Sequence, residues 1–334
     1  MNEKIKTAIV GASGYTGLEL LKILDSHEKA EIKYITSRTY KGKKAGAVFP
    51  ALLSLKNNSE ISFIDEIKKE NLSNLDVIFL CFPPGKSMEY VLQIKDKFKG
   101  KIIDLGADFR IKNAKEYEKW YGMPHILKDS ISKFVYGLSE INRAQIKNAD
   151  YVTNPGCYPT SVLLALAPVL KTGGLKINSI NIDSKSGVSG AGKKLKEEYL
   201  FLNMADNFYA YSAVMHRHIP EMEQEIFNMS GQKLNICFTP HLLPVTRGIF
   251  TTVYINLMKN SQTANMENKI YKYFNDFYDS EVFVKFLGEN IPQLKNVVGT
   301  NTVHIGFLFD RRTNVIKIFC ALDNILKGAS GQAV

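Results

Sequence analysis

Cys157 lies in Asn154-Pro155-Gly156-Cys157-Tyr158-Pro159, directly ahead of the apolar run 160–170. Structural cysteines usually sit inside apolar strands. Here two prolines and a glycine force a turn, and the run that follows reads as a buried helix, so the sulfur is expected at or near a helix start. Unpaired N–H groups and the positive end of the helix dipole favour a thiolate there. The other three cysteines, Cys81 in IFLCF, Cys237 in NICF and Cys320 in IFCAL, read as packing residues of strands. No C-x-x-C pair is present and nothing indicates secretion, so neither a metal site nor a disulfide framework is expected.

A thiolate needs a proton acceptor. Of the six histidines, His216 and His218 flank Arg217 in MHRHIPEMEQEI, ahead of a helix predicted to open at Pro220. An extended segment would set both imidazoles on one face and Arg217 on the other. A histidine pair around an arginine at a helix entrance, in a chain that already holds a candidate thiolate, suits proton transfer.

A second motif narrows the chemistry. Gly11-Ala12-Ser13-Gly14-Tyr15-Thr16-Gly17 follows a predicted strand and opens a predicted helix. In that context glycine provides a tight turn, close approach of a phosphate and close helix packing, as a dinucleotide requires. The next strand ends Thr36-Ser37-Arg38, without the acid that would hold a ribose 2′-hydroxyl. A hydroxyl and a guanidinium suit a 2′-phosphate, which favours NADP(H). Simple alcohol oxidation needs no cysteine. A nicotinamide cofactor together with a thiolate points to hydride transfer at an acyl carbon, held as a thioester.

These residues must be positioned by two kinds of element. Up to about residue 155, apolar strand signals alternate with helices: IKTAIVGASG, TGLELLKILDSH, AEIKYITSR, LDVIFLCFPPG, GKSMEYVLQIKDKF and GKIIDLGADF. That rhythm predicts a doubly wound α/β domain with a parallel sheet. Afterwards INSINIDSKSGVSGAG reads as a strand running into a loop. KLNICFTPHLLPVTRGIFTTVYINL reads as two strands around a turn, and ANMENKIYKYFNDFYD as a helix. EVFVKFL, TNTVHIGFLFD and NVIKIFCALD are further strands, and NILKGASGQAV is a helix-like tail. Strands in succession predict a mixed or antiparallel α+β domain.

With 334 residues there is room for two cores. Hydrophobic content of 45% and charged content of 23% are those of a soluble globular protein. The start lacks a signal-like apolar stretch and no run approaches a membrane span, so a cytoplasmic protein without membrane partners is expected. The net charge of +10 comes from lysines scattered along the whole chain, which argues against a nucleic-acid partner and leaves anionic small ligands open.

VGASGYTGLELL, NPGCYPT, HRHIPEMEQ and DNILKGASGQAV together resemble the N-acetyl-gamma-glutamyl-phosphate reductases, end to end. The cysteine and double-histidine motifs are the specific ones; the glycine loop and the closing segment are common to the wider semialdehyde dehydrogenases. The resemblance implies a Rossmann-like NADP-binding domain over 1–155, completed by about 313–334. It implies a catalytic and subunit-contact domain over 156–312, a homodimer or homotetramer, NADP(H), and a small acyl phosphate as substrate. Carried over by motif, Cys157 is the nucleophile and His218 the acid/base partner, with His216 nearer the substrate. Arg110 of DLGADFR, Asn154 and Arg217 are implied substrate contacts. Ser189, Gly190 and Gly192 of SGVSGAGK resemble the family's loop near the nicotinamide. Pro83 and Gly85 of CFPPG, and Asn324 and Lys327 of DNILKG, are implied cofactor contacts.

Three other functions share parts of this pattern. Aspartate-semialdehyde dehydrogenases have the same architecture and cofactor but a histidine in a strand segment ending Gly-His; the corresponding stretch here, LLPVTRGIF, has Ile249 in its place. A lysine-pathway homologue would act on an acyl phosphate carried by a protein. An NADP-binding redox sensor would use Cys157 as its sensing thiol and turn over no acyl phosphate.

Overall fold

A computed structural model describes residues 3–55, 57–258 and 265–334. Contacts divide the chain into two compact units, 1–155 with 329–334, and 156–328.

In the first unit the chain runs β1 (Ile5–Val10), α1 (Tyr15–Asp25), β2 (Ala30–Thr36), α2 (Ala45–Val48), β3 (Phe63–Ile64) and β4 (Val77–Leu80). It continues α3 (Lys86–Ile94), β5 (Lys101–Asp104), α4 (Ala114–Tyr121), β6 (Phe134–Tyr136), α5 (Ser139–Lys147) and β7 (Tyr151–Thr153). The strands form one sheet in the order β3-β2-β1-β4-β5-β7-β6, and every pairing is parallel. Both faces are covered, and strand alternation divides the core. Ala8, Val10, Ile78 and Leu80 face a cluster with Met88, Val91 and Phe109, while Ile9 and Phe79 face Leu20, Leu21 and Leu24 on the other side. Strand order reverses between β1 and β4, so the loop after β1 opens at the switch point where such sheets bind ligands.

The second unit begins with α6 (Cys157–Thr172), then β8 (Ile177–Gly187), α7 (Phe201–Met204), β9 (Tyr209–Ala210), α8 (Ile219–Ser230), β10 (Ile236–Leu243) and β11 (Ile249–Leu257). There follow α9 (Met266–Tyr278), β12 (Val284–Phe286), β13 (Val303–Asp310) and β14 (Val315–Leu322). Their sheet is mixed, in the order β12-β13-β14-β11-β8-β10-β9. The segment read as two strands around a turn does not make a hairpin. β10 and β11 lie on opposite sides of β8, parallel and antiparallel to it.

Every residue of α6 from Tyr158 to Leu170 is buried, which is why its sequence is apolar all round. It packs against α8, α9, β11 and β14. Ser161 Oγ meets Thr251 Oγ1 at 2.7 Å, Ser184 Oγ meets the same hydroxyl at 2.8 Å, and Tyr278 donates to the Leu164 carbonyl. These bonds satisfy the polar groups that the helix buries.

The chain closes with a turn of π-helix at Leu326–Ser330 and α10 (Gly331–Ala333). The return to the first unit spans 329–334 rather than starting near 313. Val315–Leu322 is hydrogen-bonded between β11 and β13 and so belongs to the second sheet. Ser330 Oγ donates to the Thr16 carbonyl at 2.8 Å, tying the terminus to the glycine loop. Cys237, expected to pack, is exposed, because its side chain alternates outward on β10 beside buried Phe238.

Leu164 is wholly buried in α6. Leu164→Ala should cost about 2–5 kcal/mol, seen as a lower urea midpoint for the second unit at an unchanged slope.

Candidate active site

In the second unit, α6 begins at Cys157, with Gly156 as its extended N-cap. The sulfur therefore sits at the first helical residue. His218 caps α8, and Met222 N–H closes on its carbonyl at 3.0 Å. Residues 216–218 form a turn closed by Ile219 N–H on the His216 carbonyl at 3.0 Å, rather than an extended segment. The turn still brings the two imidazoles together, with centroids 4.9 Å apart. The His218 ring lies against the cysteine's neighbour: a Cβ on Gly156 would stand 2.5 Å from His218 Nε2. Glycine is required there by that approach.

His216 is enclosed by Tyr158, Tyr211 and Phe238 at 5.5, 5.6 and 5.4 Å between centroids. Burial, and then the Arg217 charge, push its pKa down to about 4. It is therefore neutral at pH 7, and its Nδ1 accepts the backbone N–H of His218 at 3.2 Å, leaving the ring proton on Nε2. Arg217 points to the surface on the same turn. Tyr211 donates to the Tyr158 hydroxyl at 3.1 Å, and Tyr158 donates to the His241 carbonyl at 3.2 Å. Burial raises both phenol pKa values, so the two remain donors.

The segment after β14 forms another wall. A Cβ on Gly328 would lie 3.0 Å from the Cys157 Cβ. Gly328 N–H is held by the Asp323 carbonyl at 2.9 Å. Asp323, with no exposed surface, accepts from Arg247 Nη2 at 3.0 Å, from Gly299 N–H at 2.8 Å, and from the N–H groups of Ile325 and Leu326 at 2.9 and 3.0 Å. Asn324 takes Gly248 N–H at 2.7 Å and donates to Ser189 Oγ at 3.0 Å. Two of the residues implied to touch cofactor thus hold each other. Gly190 packs against Ser186, with 2.7 Å between a Cβ position and its Oγ, while Gly192 has φ +83° and open space beside it. Lys327 is buried, its ammonium 5.4 Å from the Phe283 ring centroid.

In the first unit the glycine loop has the geometry that its sequence demands. Gly11 has φ +79°, and a Cβ on it would meet the Cys81 carbonyl oxygen at 2.7 Å. A Cβ on Gly17 would meet the Ala12 carbonyl oxygen at 2.3 Å, whereas one on Gly14 would meet nothing within 4 Å. Gly14 caps α1, so open space lies over a helix start with Ser13, exposed Tyr15 and Thr16 around it. That cradle fits a dinucleotide pyrophosphate. Thr36 Oγ1 accepts Gly11 N–H at 3.0 Å. Ser37 is buried, with its N–H on the Ile64 carbonyl at 2.8 Å, and Arg38 is exposed at the end of β2.

Pro83 and Gly85 lie between β4 and α3 in a turn braced by Asp108. Its carboxylate accepts Gly85 N–H at 2.7 Å, Met88 N–H at 3.0 Å and the Tyr117 hydroxyl at 2.7 Å. Gly85 has φ +87°. Arg110 is buried; its Nε donates to the Asn154 carbonyl at 2.8 Å and its Nη2 to the Leu105 carbonyl at 2.9 Å. Asn154 donates from Nδ2 to the Ala329 carbonyl at 3.1 Å. Asp104, at the end of β5, accepts from Ser87 and Gly106, and burial raises its pKa to about 7. Cys81 is pushed up to about 12 by burial, and Cys320 is raised as well, so both are inert thiols at neutral pH.

Glu221, Tyr211, Asp323 and Asp108 form no part of the sequence-derived site. Glu221 carried a readable signal, three residues after His218 in the first turn of a helix; the contacts of the others span distant segments.

The fold and these residues define a semialdehyde dehydrogenase. Sequence profiles for the semialdehyde dehydrogenase NAD binding domain and dimerisation domain match residues 6–149 and 157–324. The chain is 44% identical over 331 residues to the N-acetyl-gamma-glutamyl-phosphate reductase of Pelotomaculum thermopropionicum, covering 99% of this chain and 93% of that one. It is 45% identical over 336 residues to that of Thermoanaerobacter pseudethanolicus, with the same coverage. The chain belongs to the N-acetyl-gamma-glutamyl-phosphate reductase family. Among solved structures, aspartate semialdehyde dehydrogenase II of Vibrio cholerae superposes with a TM-score of 0.72 at 17% identity, covering 99% of this chain and 96% of that one. The Candida albicans aspartate semialdehyde dehydrogenase with NADP gives 0.65 at 14%, covering 99% and 96%. At such identity the likeness is one of fold. The family and the matched profiles make the protein an oxidoreductase with a nicotinamide cofactor and a domain of the dimerising type. Among the described residues no helix is long and apolar enough to cross a membrane.

His216 gives a prediction with a definite sign. Its folded pKa, about 4, lies below its ordinary value of 6.5. Between those values the unfolded chain binds more protons, so stability should fall as pH drops from 6.5 toward 4. Denaturant midpoints over that range should fall less for His216→Gln than for the parent chain, and equal loss would remove His216 as the cause.

Proposed function

We propose that the protein reduces N-acetyl-gamma-glutamyl phosphate to N-acetyl-L-glutamate 5-semialdehyde and phosphate, with NADPH, as a cytoplasmic enzyme of arginine biosynthesis. The observation that carries this reading is Cys157 at the first residue of a buried helix, with the His218 ring against Gly156, in a chain 44% identical to reductases of that name. Against aspartate-semialdehyde chemistry stands Ile249, wholly buried where that family's histidine would stand.

In this reading His218 accepts the Cys157 thiol proton, and the thiolate attacks the acyl carbon. The carbon–oxygen bond to phosphate breaks, leaving a Cys157 thioester. Helix-start N–H groups of α6 oppose the charge on the tetrahedral oxygen. Gly11–Gly17 would hold the cofactor's pyrophosphate, and the bound cofactor would supply the hydride that takes the acyl carbon to the aldehyde level. As the thiohemiacetal carbon–sulfur bond breaks, His218 returns its proton to sulfur. His216, neutral and bonded to the His218 backbone, orients that histidine and lines the substrate site. Exposed Arg217 offers a cation to the anionic substrate. Arg110 fixes the Asn154 end of the turn that carries the nucleophile.

Cofactor contacts are assigned to Gly11, Ser13, Gly14, Tyr15, Thr16, Gly17, Ser37, Arg38, Pro83, Gly85, Ser189, Gly190, Gly192, Asn324 and Lys327. Exposed Arg38, in a strand end without an acid, supports NADP(H) over NAD(H). A dimer or tetramer is supported by Phe201 and Leu202, 81% and 87% exposed within the region matched by the dimerisation profile.

NADP reduction should require N-acetyl-glutamate semialdehyde and phosphate, with aspartate semialdehyde a poor substitute; the reverse preference would overturn the assignment. Cys157→Ser should abolish nearly all turnover and retain cofactor binding, because serine there lacks a base strong enough to ionise it. Arg38→Ala should weaken NADPH much more than NADH, measured by fluorescence titration, since only NADPH carries the 2′-phosphate.

A further inference from the structure

We infer that Glu221 is a positioning residue whose negative charge, set against the start of the Cys157 helix, makes Cys157 and His218 ionise as a pair. The inference rests on the assignment of those two residues as nucleophile and proton carrier.

Glu221 has no exposed surface, and its Oε1 accepts the Gly156 N–H at 2.8 Å. Gly156 is the N-cap of α6, so this N–H belongs to the donor-rich end of the helix. A helix start left to itself favours a thiolate on its first residue. A carboxylate bonded there offsets much of that pull. The thiolate must then draw on another cation, and His218 is in place, its ring against the same Gly156. Glu221 lies in the first turn of the helix that His218 caps, so its charge also favours the imidazolium. One carboxylate thus works against a thiolate standing alone and in favour of thiolate with imidazolium.

Other titratable groups on the elements around Glu221 enter the same balance. These are Tyr158 on α6, Glu223 and Glu225 on α8, Tyr211, His216 and Arg217 before α8, and Cys237 and His241 on β10. His216 is neutral at pH 7 and the two phenols stay protonated, so none of the three replaces the His218 cation.

The test compares charge with shape. A glutamine carbonyl accepts the same Gly156 N–H, so Glu221→Gln removes the charge and keeps the bond. The rate of Cys157 alkylation by iodoacetamide is measured against pH in the full chain, with peptide mass spectrometry to separate exposed Cys237. The alkylation midpoint of Glu221→Gln should fall by about one pH unit, giving roughly tenfold more thiolate below it, while kcat drops and cofactor affinity stays. Glu221→Asp keeps the charge and should hold the midpoint near the parent value. An unmoved or raised midpoint in Glu221→Gln would overturn the inference, as would an equal fall in Glu221→Asp. Should the glutamine variant not fold, His218→Asn decides. With the helix start already offset, its alkylation midpoint should rise clearly, and an unchanged midpoint rejects the pairing. Full turnover in Cys157→Ser would instead reject the underlying mechanism, a result separable from any of these.

Discussion

Burial of α6 on every side is the constraint on which the second unit depends. A helix that packs against two other helices and two strands can neither rotate nor slide, so its first residue has one address. Cys157 inherits that address. Its neighbours are fixed by what approaches the same end: the His218 ring over Gly156, and Gly328 against the Cys157 Cβ. Both approaches occur at glycines, because any Cβ would occupy the space. The first turn of α6 is built by leaving side chains out around one sulfur.

Buried carboxylates hold the surrounding loops by their amides. Glu221 takes Gly156 N–H, Asp323 takes the N–H groups of Gly299, Ile325 and Leu326, and Asp108 takes those of Gly85 and Met88. A buried anion that is bonded this way costs far less than one left bare, and its bonds to N–H groups are among the stronger ones. Each anchors a turn adjoining the start of a helix or helical turn, where backbone donors lack partners. The arrangement explains how irregular segments can carry precise chemistry without regular ladders. It also gives Asn324 and Arg110 a local role, since their polar atoms bond neighbouring backbone and Ser189.

Much of this was legible in the sequence because it depends on local grammar. Strand-turn-helix punctuation located the glycine loop, and the prolines around Cys157 located a helix start, now placed at the cysteine itself. The pairing of β10 and β11 with β8 was not legible, since a turn between two strands looks the same whether they pair with each other or straddle a third. The facing of the two histidines was anticipated for the wrong reason; a turn, not an extended strand, brings them together. Exposure of Cys237 was not legible because strand alternation has no phase until one face is known to be buried. The bonds from Glu221 to Gly156 and from Asp108 to Gly85 join distant segments, and spacing alone carries no such information.

The central claim is that an acyl group passes through the Cys157 sulfur. Acid quenching of the enzyme mixed with N-acetyl-glutamate semialdehyde and NADP, with phosphate withheld, followed by peptide mass spectrometry, tests it most directly. An acyl adduct is expected on the peptide containing Cys157, removed when phosphate is added before the quench. An unmodified Cys157 peptide from enzyme that turns over normally would contradict it.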